Sequence, residues 1–356
     1  MFLMEEFGNK IIEWYKIHKR DLPWRNTNNP YFIWLSEIIL QQTRVDQGMS
    51  YYLKFIEEFP TVNELANAED EKVLRLWQGL GYYSRARNLH FTAKLIVENY
   101  NGVFPADFQE IKKLKGVGEY TAAAIASFAF NLAHGVLDGN VFRVLSRIFG
   151  IDLPIDSTKG KKHFLELCNQ LLDKKNPALF NQAIMEFGAL QCVPKNPNCS
   201  TCIFIGNCTA FSKNKVFELP IKSKSLVRKN RYFNYLIISH QQHVIIKKRV
   251  ENDIWQNLYD FPLIETESPT DFSELKQKIK IHQLLKNKSW TLEKVSPSYK
   301  HVLSHRDIYT SFFHIKMDEQ PSINTNYILC QISELDNYGM PRVITRYLDF
   351  NLAEIN

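Results

Sequence analysis

No run of eighteen uncharged apolar residues occurs in the 356-residue chain, so no segment reads as a membrane span. No secretory leader is legible either, because Glu5, Glu6, Lys10, Glu13 and Lys16 interrupt the apolar pattern of residues 1–20. A cytoplasmic location is expected. Six cysteines are too few for a disulfide scaffold at this length, and four of them crowd into one stretch, which in a reducing compartment points to metal. Internal repeats and low-complexity tracts are absent. Charge of one sign is only mildly in excess, at net +6, which admits a polyanionic partner without requiring one.

What is present suits two domains, since 356 residues exceed a single compact core. Residues 1–212 read as helix after helix, with apolar residues at helical spacing in Phe7–Ile17, Trp34–Leu40, Val73–Trp77, Ala122–Phe130, Val141–Ile148 and Phe164–Leu172. Asn29 before Pro30 is a good helix start. The stretch 213–231 holds seven basic residues against one acid, Glu218, and reads as an exposed linker, either a solvated tether or a phosphate-contacting one. From Tyr232 to 350 the pattern turns to α+β. Tyr232–Ser239 and His243–Arg249 read as strands joined at Gln241 and Gln242, with strand-like runs at Tyr309–Ile315 and Tyr327–Ile332 and helical ones at Phe272–Ile281 and Pro341–Phe350.

Cys192, Cys199, Cys202 and Cys208 fall in the spacing C-x6-C-x2-C-x5-C. Four thiolates brought together in this way bind zinc or an iron–sulfur cluster. Zinc sites usually pair two C-x2-C steps or add histidines; only one such step occurs and no histidine lies between Cys192 and Cys208, which favours a [4Fe–4S] cube. Cys168 and Cys330 stand alone in apolar patterns and read as core residues.

Two glycine hairpins, Gly79-Leu80-Gly81 and Gly116-Val117-Gly118, join helical segments. Each is a plain helix–helix turn or, before a helix N-terminus, a phosphate site. A dinucleotide fingerprint is disfavoured because no strand precedes them. Two acids draw attention. Glu37 is the only charged side chain between Arg25 and Arg44, and on a helix it would share a face with Ile33 and Gln41. It is an exposed helix acid or, in apolar surroundings, a carboxyl with a raised pKa that can hold a proton for a leaving group. Asp138 precedes the helix Val141–Ile148 and is a helix cap or a carboxylate set to meet a cationic transition state.

Together these motifs resemble the helix-hairpin-helix DNA glycosylases that carry an iron–sulfur loop. The cysteine spacing and the hairpin followed twenty residues later by an acid, Gly118 to Asp138, are similar to that superfamily. Leu22-Pro23-Trp24-Arg25, Trp34-Leu35-Ser36-Glu37, Leu40-Gln41-Gln42-Thr43 and the run Gly79 to Leu89 resemble the adenine DNA glycosylases of the MutY type. The likeness runs from about Phe7 to Cys208. Beyond it, Trp255-Gln256-Asn257-Leu258-Tyr259-Asp260-Phe261-Pro262 resembles a strand of the family's Nudix-like lesion-reading domain. His301–His305 looks like its H-x-F-S-H loop, with Leu303 in place of Phe. No run of paired glutamates follows, so pyrophosphate hydrolysis is not expected.

The resemblance implies a multidomain protein: an all-α helix-hairpin-helix domain with one [4Fe–4S] cluster on residues 192–208, then an α+β Nudix-like domain. It implies a monomeric base excision repair enzyme acting on double-stranded DNA with adenine opposite 8-oxoguanine or guanine. Glu37 would protonate the flipped adenine and Asp138 would face the sugar cation, with Tyr120 and Asn140 orienting it. Arg25 and Glu186 would surround the adenine. Gln42, Thr43, Leu80 and Tyr82 would face the lesion, joined by Ser304 and His305, and Gly116 and Gly118 would hold a phosphate. Related bifunctional enzymes carry a lysine two residues after the hairpin, where this chain has Tyr120; a phenol cannot form an imine, so a monofunctional glycosylase is implied. The rival readings are a bifunctional pyrimidine-lesion glycosylase/lyase and a non-enzymatic iron–sulfur DNA-binding module. Lys195 is the only basic residue between Cys192 and Cys208, few for a DNA-contacting loop.

Overall fold

The computed structural model describes residues 2–223, 228–321, 323 and 326–352. These gather into two units, residues 1–68 with 87–225, and residues 69–86 with 226–356.

Up to residue 212 the regular elements are helical: α1 (Phe2–His18), α2 (Pro30–Leu40), α3 (Val45–Glu58), α4 (Val62–Asn67), α5 (Asp70–Leu76), α6 (Ser84–Tyr100), α7 (Phe108–Lys113), α8 (Glu119–Phe130), α9 (Gly139–Phe149), α10 (Thr158–Leu171), α11 (Pro177–Leu190) and α12 (Thr209–Ser212). Local chemistry sets the boundaries. Asn29 caps α2 by accepting from the Tyr31 N–H, with Pro30 at the first helical position. Thr61 and Glu64 form a reciprocal capping box on α4. Asn131 and Gly150 end α8 and α9 in the left-handed conformation. Phe7, Ile11 and Trp14 of α1 pack with Val144 and Ile148 of α9, Phe164 of α10 and Phe180 and Phe187 of α11. Burial of each such side chain contributes roughly 1.5–3 kcal/mol.

The second unit is built on a mixed sheet of β1 (Lys229–His240), β2 (His243–Lys248), β3 (Tyr259–Asp260), β4 (Leu263–Thr266), β5 (Trp290–Val295), β6 (Tyr299–Val302), β7 (Arg306–Met317) and β8 (Ile328–Gln331). Its main path runs β3-β2-β1-β7-β5, with β1 and β7 parallel and the other pairs antiparallel. Residues alternate across the pleat. Leu236, Ile238, Phe313 and Ile315 meet Leu275 and Ile279 of α13 (Phe272–Ile281). On the opposite face, the rings of Phe312 and Tyr347 stack at 3.8 Å, and His314 hydrogen-bonds the Tyr347 hydroxyl at 2.6 Å, which anchors α14 (Arg342–Asn351).

α2 stops at Leu40 and Gln42 turns left-handed at φ +55°, yet Gln41 still meets α8 on the side of Glu37, donating to Thr121 at 3.2 Å while Tyr120 donates to Glu37. Two sequence expectations are corrected. The Trp255–Pro262 segment is not a strand: only Tyr259–Asp260 pairs, while Trp255 and Asn257 at φ +62° and +67° fold the chain into a turn that places Trp255 edge-on to Phe233. The 213–231 stretch is not a wholly exposed linker. Val216 and Leu219 are buried beside Ala210, Ser223 bonds Asp156, and Arg231 lies in β1 paired with Asp253 and Glu265. Positions 224–227 of that stretch lie outside the described residues.

Candidate active site

The apolar run of α2 carries Glu37 inward, where it is 7% exposed among Ile33, Leu40 and Phe128. Burial pushes its pKa up from 4.5 to about 7; a hydrogen bond from Tyr120 and the charge of Arg25 pull against this, and nearby Asp138 adds to it. Tyr120 sits in the first turn of α8, two residues after Gly118. Burial and the two carboxyls beside it raise its pKa well above 10, so the phenol stays protonated and donates to Glu37. Gly116 holds φ +83°, and a β-carbon there would come within 2.8 Å of Asn88, so the hairpin requires glycine. Gly118 faces open space and caps α8.

Asp138 caps α9. One carboxylate oxygen accepts from the Val141 N–H and the other from the Asn140 side-chain amide, each at 2.7 Å. Burial pushes its pKa up while these donors pull it back. Asn140 in turn accepts from Arg143 at 2.8 Å, and Arg143 donates to the Gly188 and Cys192 carbonyls at 2.6 and 2.7 Å. The cap geometry, legible from sequence, therefore aims a fixed carboxylate into the same pocket as Glu37.

Glu37, Tyr120, Asp138, Asn140, Arg25, Thr43 and Glu186 line one pocket of about 190 Å³. Within its lining Glu186 is wholly buried. It accepts the Arg20 N–H and Nε–H at 2.9 Å and the terminal nitrogens of Arg20 and Arg25 at 2.7 Å. Burial alone would raise Glu186, but these donors hold it down at about 2, so it is a fixed anion. Sequence reading missed Arg20 and the lining residues Gln182 and Met185. The only signal for Arg20 was a second arginine flanking the Leu-Pro-Trp run, and Gln182 lies one turn before Glu186 on α11.

The remaining candidates do not line this pocket. Gln42 is exposed and Leu80 is buried. Tyr82 is exposed at φ +48°, and its hydroxyl hydrogen-bonds Ser304, whose neighbour His305 is exposed. Arg85 steadies that loop, stacking on Trp77 at 5.0 Å and donating to the Gly81 carbonyl at 3.2 Å.

All four clustered cysteines, none in a disulfide, line one small cavity with Arg147, Ile148 and Phe187. Arg147 donates to the Val193, Pro194 and Leu219 carbonyls at 2.8–3.1 Å and approaches the Cys192 sulfur at 3.5 Å, tying the start of the loop to the segment that follows it. Among the described residues no three His, Cys, Asp or Glu side chains are grouped to hold a single metal ion. Four thiols round one cavity, with a cation against one sulfur, fit the donor set of an iron–sulfur cluster. Cys168 and Cys330 are core residues, 0% and 2% exposed.

Residues 35–170 match the family model described as HhH-GPD superfamily base excision DNA repair protein, and residues 234–350 match the NUDIX domain. Fold and site thus define a helical base-excision DNA glycosylase followed by a NUDIX-like domain. The chain is 34% identical to the adenine DNA glycosylase of Buchnera aphidicola subsp. Baizongia pistaciae, over 97% of each chain. It is 33% identical to the adenine DNA glycosylase of Buchnera aphidicola subsp. Schizaphis graminum, over 96% of this chain and 98% of that one. A solved thermostable thymine-DNA glycosylase superposes with a TM-score of 0.55 at 28% identity, over 59% of this chain and 97% of that one. The chain belongs to the adenine DNA glycosylase family. No helix among the described residues is long and apolar enough to cross a membrane.

Proposed function

We propose that this protein hydrolyses the N-glycosidic bond of adenine mispaired with 8-oxoguanine or guanine in duplex DNA, acting as a cytoplasmic monomer and without a lyase step. The observation that carries this reading is Glu37: a carboxyl buried in the pocket, held near pKa 7, bonded to Tyr120 and beside Asp138.

The target adenine must leave the base stack to reach such a pocket. Glu37 gives its proton to N7, and the C1′–N9 electron pair departs with the neutral base. The sugar is left with oxocarbenium-like charge facing Asp138, which Val141 and Asn140 hold in place. Water adds at C1′ and returns a proton to Glu37. A proton transfer so positioned contributes ~10²–10⁴-fold. The fixed pair Arg25 and Glu186 offers donors and an anion to the edge of the flipped base. Tyr120 has no amine to trap the sugar, and no lysine lines the pocket.

Cys192, Cys199, Cys202 and Cys208 would hold a [4Fe–4S] cluster, which supplies a rigid cross-link when bound. Gly116 and Gly118 would seat a phosphate. The exposed Gln42 with Thr43 in the one unit, and in the other the exposed Tyr82 and His305 with Ser304, would each offer polar contacts to the lesion-bearing strand, whereas Leu80 is buried.

Duplexes carrying each mispair, incubated with protein and then treated with alkali, test this. Strand cleavage is expected only at adenine opposite 8-oxoguanine or guanine, and only after alkali. Glu37→Gln should keep duplex affinity and lose base release; undiminished release would remove Glu37 from the chemistry.

A further inference from the structure

The segment 276–288 carries Lys276, Lys278, Lys280, Lys286 and Lys288 and no aspartate or glutamate. Because α13 seats Leu275 and Ile279 on the sheet, Lys276 and Lys280, one turn apart, stand exposed on its outer side. With Lys288 they border a groove of about 680 Å³ whose apolar lining is Phe272, Leu285, Trp290 and Leu292, and no carboxylate lines it. The wall opposite α13 is β5. This strand ends the sheet path and pairs with β7 alone, so among the described residues its outer edge carries no strand. Such an edge presents backbone N–H and C=O groups that seek partners.

We propose that this groove takes an extended acidic segment of a partner protein, laid along β5 as an added strand. Each part of the groove serves a different part of such a ligand. The strand edge meets its backbone, the apolar lining takes every second side chain, and the lysines meet the carboxylates between them. A nucleic acid backbone would use the lysines but neither the strand edge nor the apolar lining. A second copy of this chain would bring like charge against like.

The full-length protein is titrated with a fluorescein-labelled peptide of alternating Glu and Val, with a Lys–Val peptide of equal length and with matched duplex DNA. The Glu–Val peptide should bind, the Lys–Val peptide should not, and amide exchange should slow at 290–295. The charge-reversed K276E/K280E/K288E should weaken peptide binding about tenfold or more at low salt, and K276Q/K280Q/K288Q, the safer variant for folding, by several-fold. Base release and duplex affinity should be unchanged in both. Failure of the peptide to bind, or binding without slower exchange at 290–295, overturns the proposal. So does a variant that loses duplex affinity instead, because the lysines would then belong to a DNA surface.

Discussion

A carboxyl that must carry a proton near neutral pH has to be kept from water, and the fold bears that cost. The folded pKa of Glu37 lies near 7, above its ordinary 4.5. Between those values the folded chain holds a proton that the unfolded chain has released, so stability falls as pH rises through that window and then levels off. At about 1.4 kcal/mol per pH unit the loss approaches ~3 kcal/mol above pH 7. Glu37→Gln should therefore be more stable than the parent at pH 8 by up to this amount and nearly equal to it at pH 4, by urea unfolding at both pH values. Equal stability at pH 8 would contradict a desolvated carboxyl. The rate of base release should fall as pH rises through about 7, where the acid ionises. Glu37 was legible because it stands alone in an apolar helix. The Glu186–Arg20 pairing was not, because periodicity carries no information about partners 166 residues apart.

Helix placement around the site depends on one small residue. On α11, a β-carbon at Gly188 would lie 2.7 Å from the Asn140 β-carbon and 3.0 Å from its carbonyl oxygen. Neither is the far end of a flexible side chain, so Gly188→Ala must displace the start of α9 and with it Asp138. Thermal unfolding should show a loss of about 1–3 kcal/mol, with base release reduced by more than the stability change explains. A variant with normal turnover would show that α9 can shift without harm. Helix starts were readable from single side chains such as Asn29 and Asp138, and the β1–β2 hairpin from alternation, whereas the parallel pairing of β1 with β7 was not. The Trp255 turn was not readable, because its left-handed residues are Trp and Asn rather than glycine. The buried part of the 213–231 stretch was masked by its lysines: Val216, Phe217, Leu219 and Ile221 fall in a strongly basic stretch and follow no helical or strand period.

At the scale of the whole molecule, the cysteine cavity joins residues 192–208 to α9 through Arg147. On the proposed cluster assignment, replacing Cys199 by Ser should lower bound iron, open the 192–208 loop to proteolysis and reduce stability by about 2–5 kcal/mol, the scale of a lost covalent cross-link. Full iron content in that variant would reject the four-cysteine ligand set.

The two units are also interleaved along the chain, since residues 69–86 cluster with the sheet domain although both flanking stretches belong to the helical one. During synthesis this segment emerges well over a hundred residues before its sheet partners exist. The helical unit has all of its residues once position 225 has been made, whereas the segment 69–86 waits for partners until the sheet strands have been synthesised.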